Sequence, residues 1–268
     1  MPVPSPSEEG LGRGPVGEGL GRGPVGGGLG RGPIEKGPFW IYSDPSGQQH
    51  CMVKETQWVA NYLNTQSGEN VSIFEALQNL AKSQHVHLAT HGAFRRDDPI
   101  ASHLSLDDNQ KLYFPLWISA AVRIPADLLV LSACESNLNG RDTKDLLTPI
   151  GIGPALAAAG AKTVVGTLWE MSGAACFFFN YHFYQLMDEK PNCPWHQLVT
   201  EARKKLQTMS FETAKAILVE IGWDDKEQPC RDDIDSYITI AENTHSPPFE
   251  DFWLWAGFSV LGQVQREK

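Results

Sequence analysis

Long apolar runs are missing from this 268-residue sequence: none approaches the roughly 20 residues that a membrane-spanning helix needs. The opening residues, MPVPSPSEEG, lack the basic stretch and apolar core of a secretory signal. A soluble, cytoplasmic protein is therefore expected. Basic residues are in the minority, 22 Lys and Arg against 32 Asp and Glu, for a net charge of -10. So acidic a chain repels phosphate backbones and anionic lipid surfaces, which argues against nucleic acid or a membrane as a direct partner. Cysteine is sparse and unpatterned. Cys51, Cys134, Cys176, Cys193 and Cys230 are odd in number and contain no CxxC pair, so they are not a disulfide framework and suit a reducing compartment.

Large apolar side chains are also few in residues 1–38. Three GLGRGP units begin there at Gly10, Gly19 and Gly28, with a spacing of nine residues. They offer too little apolar surface to offset the entropy of ordering the backbone, so this segment reads as a Gly/Pro-rich flexible tail. A phosphate-binding glycine loop needs a strand before it and a helix after it, and this tract has neither.

What is present after residue 38 is a sequence of alternating strand and helix signals. Phe39 to Tyr42 make the first apolar cluster. Glu55 to Asn64 reads as an amphipathic helix with Trp58, Val59, Tyr62 and Leu63 on one stripe. Ser72 to Ser83 reads as a second helix, opened by a Ser N-cap with Glu75 in the capping-box position. HVHLAT (85–90) is a short strand, and DLLVLSA (127–133) is unbroken in the way of a strand buried on both faces of a parallel sheet. A helix over 149–159 ended by Gly160, a strand over 163–168, helices over 174–187 and 195–208, and a closing strand over 255–261 complete the pattern. Strands separated by helices predict a three-layer α/β domain over 39–268 with a central, mainly parallel sheet. The stretch from Glu212 to His245 is rich in Asp and Glu and reads as an acidic insertion on the surface.

His91-Gly92 follows one buried strand and Cys134-Glu135-Ser136 ends another. In parallel sheets, reaction sites collect outside the carboxyl ends of the strands, so the two can face one cleft. A thiolate there could attack a carbonyl while an imidazolium protonates the leaving amine. A backbone N–H beside a glycine, as at Gly92, suits an oxyanion because no Cβ blocks its approach. Taken singly, a Cys ending an apolar strand is more often an inert core thiol, and a lone His more often structural.

The segments HLATHGAF (87–94), DLLVLSACES (127–136), GIGPALAAAGAKTVVGTLWEMS (151–172) and FWLWAGFSVLG (252–262) together resemble the CHAT family, which belongs with the caspases and separases. The resemblance runs in one order over most of 39–268 and implies a caspase-like fold and a cysteine-type endopeptidase. By that resemblance His91 is the general acid/base, Cys134 the nucleophile, and the backbone amides of Gly92 and Cys134 the oxyanion donors. It also implies a substrate groove at Trp169, Glu170 and Met171, along which a peptide would pair by strand addition. Relatives often carry an Asp a few residues after that Trp, where this chain has Ser172 and Gly173. The partners implied are a protein or peptide substrate and a separate regulatory or sensor protein.

Two further motifs read as decoys. His85, His87 and His91 share strand parity, which suggests zinc, but the metallo-hydrolase pattern wants an Asp where Leu88, Ala89 and Thr90 stand. His87 is better explained as a strand residue packed under the sheet. Gly151-x-Gly153 lacks a clear strand before it, so its small residues read as close helix–sheet packing rather than dinucleotide binding. The Phe177-Phe178-Phe179 run reads as core filling. No metal and no cofactor are expected. The rival to the peptidase is a catalytically inactive module of the same fold that binds peptides or serves as a scaffold.

Overall fold

The computed structural model describes residues 38–43, 50–95, 98, 101–113, 122–133, 140–142, 145–223 and 229–263. The GLGRGP tail lies outside them, and so does Cys134. The chain runs through β1 (Phe39–Ser43), α1 (His50–Tyr62), β2 (Ser67–Gly68), α2 (Ile73–Lys82) and β3 (His85–Ala89). An antiparallel ribbon follows: β4 (Gly92–Ala93), β5 (His103–Ser105) and β6 (Lys111–Tyr113). Then come β7 (Leu128–Ser132), the paired β8 (Gly140–Asp142) and β9 (Asp145–Ile150), α3 (Ile152–Ala158) and β10 (Thr163–Thr167). The C-terminal part consists of α4 (Gly173–Glu189), α5 (Trp195–Gln207), α6 (Phe211–Glu220), α7 (Pro229–Thr244), one turn of helix α8 (Phe252–Trp255) and β11 (Phe258–Gly262).

The main sheet has the order β11-β10-β7-β3-β1-β2, parallel throughout except for β11. Alternation along each strand then decides which side chains meet which helices. On β1, Ile41 turns to one face and Trp40 and Tyr42 to the other; on β7, Leu128 and Val130 oppose Leu129 and Leu131. One face packs under α1 and α4 to α7, the other under α2 and α3. That is the three-layer, mainly parallel architecture the strand–helix alternation predicts.

Local signals explain where the elements stop. Ser72 accepts from the Glu75 amide while the Glu75 carboxylate accepts from the Ser72 amide, the reciprocal cap expected of that spacing. Gly160 ends the α3 segment at φ +119°, and a Cβ there would lie 2.9 Å from the Ile124 carbonyl oxygen, so no other residue fits. Helix α4 is buried nearly all round, with Phe177, Phe178 and Phe179 each at 1% exposure or less. Burying each such ring contributes about 2 kcal/mol, which makes the triple Phe a core anchor. Phe179 also stacks on Phe258, tying α4 to the closing strand.

Three expectations shift. Helix α1 starts five residues before Glu55, and β11 starts at Phe258 because 252–255 forms a helical turn that Asp251 caps. The acidic stretch after residue 211 folds as α6 and α7. Their Ala214, Ile217, Leu218, Ile234 and Ile238 join the same core as α4, with the carboxylates left on the outer side. The ribbon β4–β6 had no counterpart in the sequence pattern, since strands of two and three residues are too short to show a period.

His182 on α4 gives the fold an acid sensitivity. Neither ring nitrogen has a hydrogen-bond partner among the described residues. Burial first, and the charge of Lys205 second, push its pKa down to about 4. The unfolded chain, with a histidine near its ordinary value, takes up the proton first as the pH falls. Stability is therefore complete above about pH 6.5 and falls by about 3 kcal/mol on the way to pH 4. Urea unfolding of His182→Phe across that window is expected to lose this component of the slope.

Candidate functional site

Strands β3 and β7 lie side by side in parallel, with Val86, His87, Leu88 and Ala89 opposite Leu129, Val130, Leu131 and Ser132. The two strands therefore end together, and the Thr90 amide donates to the Ser132 carbonyl at 3.1 Å just beyond the last pair. His91 follows, half-buried, and its carbonyl accepts from the Ser105 amide at 2.9 Å. Gly92 then opens β4 opposite Leu104. In an antiparallel ladder bonded and non-bonded pairs alternate, so the bond between residues 91 and 105 turns the Gly92 N–H away from β5. The other predicted member, Cys134, lies outside the described residues; the described chain reaches Ala133 directly before it.

The predicted groove residues separate in the structure. They follow the end of β10, where the Leu168 amide donates to the Gly257 carbonyl at 2.9 Å. Trp169 donates from Nε1 to the Trp253 carbonyl and packs against Phe252 and Trp253. Glu170 is exposed, whereas Met171 is buried. Ser172 is the N-cap of α4, its hydroxyl accepting from the Ala175 amide at 3.1 Å. An Asp at that position would serve the same cap. Gly257 holds this segment in place: a Cβ there would come within 2.8 Å of Met171 Sδ and 2.9 Å of the Trp169 ring. Gly257→Ala is expected to destabilise by about 1–3 kcal/mol and to displace Met171, read out by thermal unfolding together with Trp fluorescence.

A small cavity opens at the end of β7, between α1 and the start of α4. Met52 and Glu55 of α1 line it with Ser132 and Ala133, and Met171, Gly173 and Cys176 close the other side. Glu55 is 1% exposed and its charge is held by three donors. Oε1 accepts from His87 Nε2 and Asn180 Nδ2, both at 2.9 Å, and Oε2 accepts from Ser132 Oγ at 3.1 Å. The other His87 nitrogen, Nδ1, faces the Tyr184 hydroxyl at 3.1 Å. Burial, reinforced by the Glu55 charge, holds the Tyr184 phenol far above its ordinary pKa, so it stays protonated and can donate. His87 is thus under the sheet as expected, but as part of a polar network.

Sequence reasoning did not single out Glu55 or Ser132. The available signal was the position of Glu55 itself, three and four residues before Trp58 and Val59, inside the apolar stripe of α1. A carboxylate facing the core needs partners, and they come from β3, β7 and α4.

Cys51, at the start of α1, is disulfide-bonded, whereas Cys176 and Cys193 are not in disulfides. The expectation of reduced thiols therefore fails at Cys51, whose Sγ would lie 3.2 Å from a Cβ at Gly173, beside the cavity. Among the described residues no group of three or more His, Cys, Asp and Glu side chains is placed to hold a metal ion, and no helix is long and apolar enough to cross a membrane. His85 packs against the Phe39 ring, and the His87 ring nitrogens are engaged by Glu55 and Tyr184.

Compared with known families, residues 46–263 match the CHAT domain model. No curated protein matches the chain. Among solved structures, the crystal structure of the Saccharomyces cerevisiae separase–securin complex aligns with 62% of the chain at 15% identity and a TM-score of 0.43. The aligned part is 10% of that chain, so this sequence spans about a tenth of its length.

Proposed function

Because the chain belongs to the CHAT family, we propose that it is a cysteine endopeptidase working through Cys134 and His91. The observation that carries the proposal is the shared end of β3 and β7. Ala89 stands opposite Ser132, and counting two residues further along each chain reaches His91 and Cys134. In this reading the Cys134 thiolate attacks a peptide carbonyl, a C–S bond forms, and the oxygen takes the negative charge. The amides of Gly92 and Cys134 receive that charge, and the orientation of the Gly92 N–H away from β5 supports the first of them. The His91 imidazolium gives its proton to the amine as the C–N bond breaks, leaving a thioacyl intermediate. His91 then accepts a proton from water as the water displaces the thiolate and releases the acid.

The substrate is a protein or peptide, entering in extended form along Trp169, Glu170 and Met171. That segment continues β10 beyond the Leu168–Gly257 hydrogen bond, with Glu170 exposed, and the reading is that the peptide adds there as a strand. A separate protein that activates the domain is the second partner in this proposal.

Alkylation tests it. After thiol reduction of the full chain, iodoacetamide is expected to modify Cys134 at least about ten times faster than Cys176 or Cys193, as a thiolate stabilised beside an imidazolium requires. The modification should also stop cleavage of a peptide library. Equal labelling rates at all three, by peptide mass mapping, would favour the inactive peptide-binding module.

A further inference from the structure

We propose that the aromatic face built by Trp169, Phe252 and Trp253 is a docking surface for another protein, one that presents a large apolar side chain flanked by Arg or Lys. This goes beyond the peptidase reading and holds whether or not Cys134 reacts. The first argument is exposure. Phe252 and Trp253 are 53% and 63% exposed, and both touch the Trp169 ring. Aromatic side chains carry about 150–250 Å² each, so the two leave on the order of 300 Å² of apolar surface in water. A single exposed apolar residue needs no explanation, but the largest contiguous patch on a domain, at about that size, is often where a partner binds.

The second argument is rigidity. Asp251 Oδ1 accepts from the Trp253 amide at 3.0 Å and caps the turn of α8. Trp169 Nε1 donates to the Trp253 carbonyl at 2.9 Å, and Trp255 Nε1 to the Glu250 carbonyl at 3.1 Å. The Trp169 centroid lies 5.2 Å from that of Trp253 and 5.6 Å from that of Phe252, and the last two are 5.8 Å apart. Rings so close are in contact with one another, so no ligand group fits between them and only their outer faces are open. Aromatic side chains already fixed in place lose little entropy when a partner covers them, which is the property of an interface anchor.

The third argument is charge, and it chooses the occupant. Glu170, Glu250 and Asp251 are exposed and stand next to these aromatic residues in the chain, while Arg203 lies over the Trp255 ring, 5.4 Å from its centroid. An apolar centre with an acidic rim fits a basic segment with an apolar anchor. Arg gains twice there, since its guanidinium can stack on an open ring face and pair with a carboxylate of the rim. Two other occupants are disfavoured by the same rim. A second copy would bring identical acidic residues on a chain of net charge -10, and like charges would face each other. An anionic lipid surface would meet the same repulsion.

Three fluorescein-labelled peptides test the surface on the full-length Cys134→Ala chain, where cleavage does not intervene and the peptidase reading is not at stake. One peptide carries Trp between two pairs of Arg, the second has Ala in place of that Trp, and the third has Glu in place of the Arg residues. By fluorescence anisotropy the first is expected to bind at least about tenfold tighter than the second, and the third least of all. Adding Trp253→Ser should weaken the first peptide about tenfold, and adding Glu250→Gln about threefold. Among the indole N–H signals of the eight Trp residues in an NMR spectrum, those of Trp253 and Trp169 should move on addition of the first peptide, whereas that of buried Trp40 should not. Should Trp253→Ser fail to fold, Trp253→Phe identifies the Trp253 signal and its movement decides. Equal affinity for the Trp and Ala peptides, or an indole of Trp253 that stays in place, overturns the proposal. Self-association in sedimentation, or binding to phosphatidylcholine vesicles, that Trp253→Ser abolishes would overturn it too, in favour of a second copy or a membrane.

Discussion

Cys134→Ala should abolish peptide cleavage, by about 10³-fold or more, because no other group in the proposed site can form the thioacyl bond. His91→Ala should cost about as much. The double variant should be no worse than either single one, since a nucleophile and its acid/base act as a unit and their losses do not add. Stability is the control. His91 is half-buried and follows β3 rather than standing within it, so His91→Ala should unfold within about 1 kcal/mol of wild type. The measurement is cleavage of a library-derived peptide alongside urea unfolding for all three variants. A folded Cys134→Ala protein that still cleaves would dismiss the dyad and return His91 to a structural role. Inactive variants with intact folds would set the domain apart from a scaffold, which has no reason to lose anything when a thiol becomes a methyl group.

The architecture was legible because its strongest signals are local or periodic. The run from Leu128 to Ser132 is buried along its whole length, so its composition alone declared a strand covered on both faces. Ser72 and Glu75 satisfy each other's backbone amides within one turn, which a spacing of three residues can reveal. The acidic stretch was harder. In α6 and α7 the apolar positions 214, 217, 218, 234, 238 and 241 do recur at helical spacing, but the carboxylates between them dominate the composition. The antiparallel direction of β11 is a property of how the chain returns after α8, and no periodicity within five residues records it.

The site was legible to the same degree and for the same reason. A His and a Cys at two strand ends can be read from the sequence, but their adjacency depends on the register of β3 against β7. The Glu55 network lies further from reach. Its members are separated by 32, 77 and 125 positions, so only the folded chain brings His87, Ser132 and Asn180 to one carboxylate. A buried charge is a tertiary property. The helix pattern could show that Glu55 was out of place, not what made the place acceptable.

That network should also be the point at which the fold is most easily broken. Glu55→Ala removes the acceptor of three buried donors and leaves His87 Nε2, Asn180 Nδ2 and Ser132 Oγ facing a void. Each buried donor left unmade costs about 1–3 kcal/mol, and losing one partner of a buried charged set costs about 3–5 kcal/mol in all. For a domain of ordinary stability, that is a large part of the total. Glu55→Gln keeps the shape and one acceptor oxygen but turns an NH₂ group towards a donor, so its loss should be smaller, about 1–3 kcal/mol. The expected order in urea unfolding is therefore wild type, then Glu55→Gln, then Glu55→Ala. A Glu55→Ala protein within about 1 kcal/mol of wild type would mean that water or a moved side chain takes over the three donors. The carboxylate would then be dispensable to the fold. Large losses in the expected order would instead show that this carboxylate is what anchors Ser132 at the end of β7, two residues before Cys134.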